Sequence, residues 1–354
     1  MASAACSNHV DEVPQLEAGT SSGGSGGSLP DIDSGASGTG GNQSDADADA
    51  PEAPLVTGWA PLNSDGAPSA RQSSTAIWTG SEMIVWGGSN DSGPLASGGV
   101  YTLAADSWSA TSSANAPSAR QGHSAAWTGS EMVVWGGCDT PTTAFADGAR
   151  YNPAMDSWTA MSAANAPTVR SGAQAVLTGS KLIVWGGTYK GTNPLDGGIY
   201  DLANDSWSPI TQPPQDFLGR IQHSTVWTGS RMIVWGGYSS QAFKLLNDGA
   251  SYDPASDTWQ LISQTAAPSP RDRQVTAWTG SKMVLWGGTD STYLDTGGIY
   301  DPAADSWTAT PSSGAPLGRM EHVSVWTGSQ MLIWGGYGGM AVKFLNSGGI
   351  FTPG

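Results

Sequence analysis

The chain has 354 residues and contains 49 Gly, 22 Pro and 17 Trp, but only 12% of its residues are charged. This composition indicates many tight turns and much buried aromatic surface, and it argues against a helical bundle, which needs far more Glu, Lys and Leu. The formal net charge of −16 argues against binding to nucleic acid or adsorption to an anionic membrane, because both would repel the chain.

Residues 1–56 differ in composition from the rest of the chain. They contain nine acidic residues and no Lys or Arg, and the stretch 19–54 is almost entirely Gly, Ser, Ala, Asp, Thr and Pro. Such a segment cannot bury enough apolar area to offset the entropy lost on ordering. We expect 1–56 to be a disordered acidic leader that acts either as a tether or as a solubilising tail.

The residues before Cys6 are small, as in Ala2-Ser3-Ala4-Ala5. This stretch resembles the end of a bacterial lipoprotein signal, in which small residues precede a Cys that becomes diacylated. Ser3 stands where that pattern favours Leu, Val or Ile, and the charged and apolar regions of a signal peptide do not precede it. The resemblance implies lipidation at Cys6 and an extracytoplasmic location, at the bacterial outer membrane or cell surface.

A repeat dominates the remaining chain, residues 57–354. The tripeptide Trp-Gly-Gly occurs six times at spacings of 48 to 51 residues, and an Arg lies 15 residues before each Trp. The tryptophans are Trp86, Trp135, Trp185, Trp235, Trp286 and Trp334. The arginines are Arg71, Arg120, Arg170, Arg220, Arg271 and Arg319.

Each unit contains two hairpin signals. In the first unit, Thr79-Gly80-Ser81 separates two apolar or β-branched runs, and the turn 104–106 separates Tyr101 from Trp108. Two hairpins give four strands, and a four-stranded unit of about 50 residues is the period of a propeller blade. We expect an all-β, six-bladed β-propeller with four antiparallel strands per blade.

The units resemble kelch repeats in their Gly-Gly doublet, their Tyr, and a Trp seven residues further on, as in Tyr200 and Trp207. The form Trp-Thr-Gly-Ser-x-Met-x-Val-Trp-Gly-Gly is similar to secreted bacterial kelch proteins in particular. The last unit lacks its Trp strand, and Trp59 lies 12 residues before Arg71, as Trp108 does before Arg120. We expect an N-terminal strand at Trp59 to close the last blade, and the tryptophans to pack between blades.

Strand order places the Thr-Gly-Ser and Asp-x-Trp turns on one face of the propeller and the loops after Trp-Gly-Gly on the other. Those loops vary in sequence, which is typical of binding surfaces on a rigid scaffold. The six arginines enter from this variable face. The kelch resemblance implies that they line a mouth that grips a carboxylate, a sulfate or an acidic peptide. The alternative is a structural ring of backbone-capping or Asp-paired arginines.

Three residues after the arginines of units two, four and six stand His123, His223 and His322. They are weak candidates for a zinc or copper set, and kelch strands often carry His there for packing. We predict no cofactor. The loops of units four and six are alike, and the apolar tip that includes Phe243 is a candidate contact patch.

These features favour a non-enzymatic binding propeller of the bacterial envelope, whose partner is an acidic peptide or a glycan on the variable face. The alternatives are a carbohydrate-active enzyme, similar to sialic-acid mutarotases or to oxidases, and an architectural assembly subunit. An enzyme should show a carboxylate or His with a perturbed environment at the mouth. A binding module needs only arginines and loops.

Overall fold

The computed structural model describes residues 63–140, 142–338, 345 and 347–353. The leader 1–56, Cys6 and the strand expected at Trp59 lie outside these residues. Within the described part the only helical element is the 3₁₀ turn Leu103–Ala105, and all other regular structure is β. The expected all-β fold is therefore confirmed. None of the described residues form a helix that is long and apolar enough to cross a bilayer.

The described strands form six successive main sheets, five with four antiparallel strands and the sixth with three. Sheets 1 to 3 consist of β1 (Thr75–Trp78), β2 (Glu82–Trp86), β5 (Gly98–Thr102) and β6 (Ser107–Ala110); β7 (Ser124–Trp127), β8 (Met132–Trp135), β11 (Gly148–Asn152) and β12 (Ser157–Ala160); and β13 (Gln174–Leu177), β14 (Lys181–Trp185), β15 (Gly197–Asp201) and β16 (Ser206–Pro209). Sheets 4 to 6 consist of β17 (Ser224–Trp227), β18 (Met232–Trp235), β21 (Gly249–Asp253) and β22 (Thr258–Leu261); β23 (Val275–Trp278), β24 (Met283–Trp286), β25 (Gly297–Asp301) and β26 (Ser306–Ala309); and β27 (Val323–Trp326), β28 (Met331–Trp334) and β29 (Gly348–Phe351).

Strands within each sheet follow one another in chain order, as expected of up-and-down blades. The first strand of each sheet contacts the first strand of the next, from β1 through β27. These six first strands are called the inner strands below. Three short hairpins extend the variable loops: β3 (Ser89–Asn90) with β4 (Gly93–Pro94), β9 (Cys138–Thr140) with β10 (Thr143–Ala144), and β19 (Tyr238–Ser239) with β20 (Lys244–Leu245).

The second strand of each sheet supplies the core. In β14 the side chains from Leu182 to Trp185 are all buried, because β-branched and aromatic residues suit a strand covered on both faces. The Trp that ends this strand packs against the outer Trp of the following sheet. Trp135 and Trp207, for example, have ring centroids 5.4 Å apart. The expected packing of tryptophans between sheets is therefore confirmed for the described pairs.

The Asp-x-Trp turn holds neighbouring sheets together. Asp156 adopts a left-handed φ of 43°, which Asp tolerates better than most residues. Its Oδ1 accepts a 2.7 Å hydrogen bond from the Tyr151 hydroxyl and another of 2.7 Å from the backbone N–H of Ser112. Trp158 Nε1 donates to the Ser112 carbonyl at 2.9 Å. Because Ser112 follows the outer strand of sheet 1, the Tyr, Asp and Trp of the repeat act as an inter-sheet clamp.

Candidate functional site

The side chains of the six repeated arginines point toward main-chain carbonyls of their own units. Arg170 donates from Nε to the Thr168 carbonyl at 2.8 Å and from Nη1 to the carbonyls of Gly186 and Asp196, at 3.1 and 2.8 Å. The same three kinds of main-chain acceptor recur for the other five arginines, at 2.6 to 3.2 Å. Each guanidinium therefore ties the entry of the inner strand to the loop after Trp-Gly-Gly.

Burial decides what these guanidinium groups can touch. Five of them are at most 1% exposed, and only Arg71 is partly exposed. Asp147, Asp196 and Asp248 pair with Arg120, Arg170 and Arg220. The donors are therefore used within each sheet, as the structural alternative requires. Direct contact with a ligand stays a prediction, and it would require these side chains to leave their carbonyl partners.

The three histidines serve packing between sheets. His223 lies edge-on to Trp185 of the preceding unit, with ring centroids 5.6 Å apart, and His123 and His322 repeat this contact with Trp86 and Trp286. Burial lowers the pKa of His123 and His223 to about 3 and that of His322 to about 4. The imidazoles are therefore neutral at pH 7.

No group of three His, Cys, Asp or Glu side chains within the described ranges is arranged to hold a metal ion. The histidines proposed as a weak metal set are thus not brought together. Their packing instead explains why the first residue of the Gly-Gly doublet is a glycine. A Cβ on Gly186 would lie 2.3 Å from His223 Cε1, so the first Gly of the doublet makes room for the imidazole of the next unit.

A feature that sequence reasoning missed lies two residues after each repeated Arg. All six residues there have a positive φ, between 53° and 65°. The residues are Ser73, Gly122, Gly172, Gln222, Arg273 and Glu321. Glycine fits this conformation, and units two and three use it, whereas units four to six carry large polar side chains. This departure from the repeat is readable in the sequence once the register is known.

The polar residues of units four to six form a network. Gln222, with its amide oriented to satisfy both neighbours, donates to Asp272 Oδ2 at 2.9 Å and accepts from Arg273 Nε at 3.1 Å. Arg273 Nε also lies 3.5 Å from Glu321 Oε1. Burial raises the pKa of Asp272 to about 6, against the opposing effect of Arg273 and with a further rise from Glu321. The network places a perturbed carboxylate beside the inner strands.

The loops of units three and four are joined by Asn193, which is fully buried. Its Oδ1 accepts from the backbone N–H of Ser240 at 2.6 Å, and its carbonyl accepts from Gln241 Nε2 at 3.0 Å. Above this joint the tip residue Phe243 has a φ of 52° and is 82% exposed. The apolar tip expected for unit four is therefore present, and its backbone is fixed from below.

Two cavities lie near the Thr-Gly-Ser face. One, of about 530 Å³, lies between sheets 4 and 5 and is lined by Arg231, Trp278 and Tyr300 among others. A smaller one, of about 230 Å³, lies between sheets 3 and 4, where Lys181 and Pro254 contribute to it. Both cavities lie between neighbouring sheets.

Part of the chain is similar in sequence to known kelch proteins. Kelch domain-containing protein 3 of Rattus norvegicus is 28% identical over 92 residues, and that of Homo sapiens is 30% identical over 94 residues. Each match covers 26% of this chain and 24% of the relative, so it spans about a quarter of the relative's length. Residues 83–345, most of the repeat region, match the family described as Attractin/LZTR1 beta-propeller. With the sheets, the clamps and this match in agreement, the chain belongs to the Attractin/LZTR1 β-propeller family.

Proposed function

We propose that this chain is a non-enzymatic binding propeller that holds an acidic peptide segment of a partner protein against the loops of units three and four. Kelch-type propellers are typically protein-interaction scaffolds. The observation that carries the proposal is Phe243, an aromatic side chain displayed at 82% exposure on a fixed loop. Exposed aromatic side chains on rigid supports are favoured anchors of protein interfaces.

Charge favours an acidic partner at this place. Lys244 is exposed beside Phe243, and Lys190 is exposed in the adjoining loop, with its Nζ 5.1 Å from the Tyr189 ring. The acids at the ends of these loops, Asp196 and Asp248, are paired with buried arginines. The lysines therefore keep a positive field on a chain that is acidic as a whole.

The test is binding of the chain to an array of acidic and neutral peptides, followed by calorimetry on the best binder. Phe243→Ala should cost about 2 kcal/mol or more of binding free energy, and Lys244→Glu should weaken binding most at low salt. Met155→Ala is the matched control, because Met155 is 74% exposed in the β11–β12 turn on the other face. Equal affinity of the Phe243 and Met155 variants would remove the loop-tip assignment.

A carbohydrate-active enzyme is the second candidate, and Asp272 is the observation that favours it. Burial raises its pKa to about 6, and Gln222 links it to Arg273; a carboxylate with a perturbed pKa is a feature of many active sites. A glycoside panel would test it. Turnover that disappears in Asp272→Asn would replace the binding proposal with an enzymatic one.

We also propose an extracytoplasmic location, with the acidic leader as a tether to the bacterial envelope. Lipidation at Cys6 is the predicted anchor. Mass spectrometry of protein purified from its native membrane tests it, since an unmodified Cys6 would rule out the lipid anchor.

A further inference from the structure

A cavity apart from the loop tips lies beside the inner strands of units three to six. Its volume is about 340 Å³, within the range of small-molecule sites. Its lining is strongly polar and contains no Trp, Tyr or Phe. Three amides, Gln174, Gln222 and Gln274, share it with the guanidinium of Arg273 and the carboxylate of Glu321.

Several buried polar atoms in this lining have no hydrogen-bond partner among the described residues. They include Ser224 Oγ, Thr225 Oγ1 and Gln274 Oε1, together with ring nitrogens of His223 and His322. Ser224 is 4% exposed and Gln274 is 8% exposed, so both side chains are more than nine-tenths buried. Folded proteins rarely leave such atoms unpaired, and a ligand or ordered water normally satisfies them.

Backbone conformation points to the same place. Gln222, Arg273 and Glu321 keep a φ of 53°, 57° and 55°, although the equivalent residues of units two and three are glycines. A left-handed conformation is unfavourable for residues with a Cβ, and such strain persists mainly where function requires the side chain. Units four to six therefore accept this strain with large polar side chains that face the cavity, whereas unit one accepts it with the small side chain of Ser73, outside the lining.

Arg273 keeps donor capacity for a ligand. Its Nε is used by Gln222 and Glu321, whereas Nη1 faces only the Met320 sulfur, at 3.2 Å. A thioether is a weak acceptor, so the outer edge of the guanidinium can still donate. The Glu321 carboxylate, 59% exposed, supplies acceptors close by.

We propose that this cavity binds a single saccharide unit, held by Gln222, Arg273 and Glu321 above the buried polar atoms of Ser224 and Gln274. Sugar hydroxyls both donate and accept, so they suit a lining of amides, a guanidinium and a carboxylate. An apolar ligand would leave the buried atoms unpaired. A carboxylate ligand would face Glu321 and gain less from Arg273, whose charge Glu321 already offsets. This site is independent of the loop-tip proposal, because it shares no residue with it.

The test uses the full chain and a panel of neutral monosaccharides (glucose, galactose, mannose and N-acetylglucosamine), with saturation-transfer NMR and calorimetry as readouts. At least one sugar should bind, and Gln222→Gly and Glu321→Gly should each weaken it by about tenfold or more. Ser73→Gly is the matched control, because it makes the same change at the equivalent position of unit one, outside the lining. Glycine suits a positive φ, which offsets the interactions lost with the side chains of Gln222 and Glu321, so all three variants should stay folded under the conditions of the binding assay.

Absence of binding by every sugar of the panel overturns the proposal and leaves water as the occupant. Binding that survives both Gln222→Gly and Glu321→Gly also overturns it. If these two variants instead lose an acidic peptide that the parent binds, the cavity belongs to the peptide site and the saccharide assignment is wrong. Failure of the loop-tip proposal has a different signature, namely peptide binding that survives both Phe243→Ala and Lys244→Glu.

Discussion

Two positions of the repeat, only two residues apart, follow opposite rules. The first holds Arg in all six units, while the second holds Ser, Gly, Gly, Gln, Arg and Glu. All six invariant arginines donate to main-chain carbonyls and five of them are buried, while the variable residues line a polar cavity in units four to six. In a repeat protein, a residue that recurs in every unit usually has a structural role in packing or hydrogen bonding. A residue that departs from the repeat at a strained position has a local role, and the local role proposed here is binding.

Removal of a buried arginine is the strongest way to test the structural half of this comparison. Arg170→Ala leaves the carbonyls of Thr168, Gly186 and Asp196 without their donor. It should lower the free energy of unfolding by about 3–5 kcal/mol, measured by urea unfolding. Arg231→Ala is the control, because Arg231 is 40% exposed in its pair with Asp253 and should change stability by at most about 0.5 kcal/mol.

An Arg170→Ala protein as stable as the parent, with anion binding lost, would reverse the comparison. It would restore the ligand role that the sequence suggested for the arginines. Arg170→Lys refines the test, because lysine keeps the charge but cannot reach three carbonyls at fixed angles. We expect it to lose most of the stability that the alanine variant loses.

The pH dependence of stability tests whether the histidines of units two, four and six also have a structural role. Burial holds the pKa of His123 and His223 near 3, below the value of about 6.5 for an unfolded chain. The unfolded state therefore takes up protons first as the pH falls. The contribution of each histidine to the free energy of unfolding is fully present above about pH 6.5. Below that pH it should fall by about 1.4 kcal/mol per pH unit. Asp272 opposes this trend, because its raised pKa of about 6 makes its contribution fade as the pH rises through that value.

The measurement is urea unfolding of the parent at pH 7.5 and pH 5. The same measurement is made on a variant in which His123, His223 and His322 are changed to Gln, the residue that unit five carries at the equivalent position, Gln274. The variant should lose much less stability between the two pH values than the parent. Equal losses would show that the imidazoles are not the buried neutral groups described above.

The glycine doublet gives a smaller and sharper test of packing. Gly186 and Gly179 both have a positive φ, 75° and 86°, but a Cβ on Gly186 would meet His223 whereas a Cβ on Gly179 would meet nothing within 4 Å. Gly179→Ala should cost about 1 kcal/mol from backbone strain alone. Gly186→Ala should cost clearly more in thermal unfolding, and adding His223→Ala should recover part of the difference. Equal costs for the two glycine variants would contradict the contact with His223.

Regularity explains how much of this molecule could be predicted from sequence. The strands, the turns and the tryptophan packing follow from a pattern repeated in register, because each unit provides an independent reading of the same fold. The burial of Arg170 could not be read in this way, since a repeated Arg fits a ligand ring and a structural cap equally well. Only the distances to Thr168, Gly186 and Asp196 distinguish the two roles.

The candidate sites were harder to predict because they depend on contacts between units. Asn193 joins two variable loops, and its importance is visible only when Ser240 and Gln241 are placed beside it. The left-handed φ shared by Gln222, Arg273 and Glu321 needs backbone coordinates. A sequence signal does exist, because Gly in units two and three marks a position where a large side chain carries a conformational cost.

The smallest expected change in stability concerns Phe243, the residue that departs most visibly from the repeat on the loop face. Its ring is 82% exposed, and its φ of 52° is unfavourable for a bulky residue. Phe243→Ala should therefore leave the unfolding temperature nearly unchanged, and Phe243→Gly should leave it unchanged or raise the free energy of unfolding by up to about 1 kcal/mol. Differential scanning calorimetry of both variants measures this. A loss of more than about 1 kcal/mol in the free energy of unfolding of the alanine variant would mean that the ring stabilises the loop. The exposed Phe243 would then have a structural explanation, and it would no longer support this tip as the place where a partner binds.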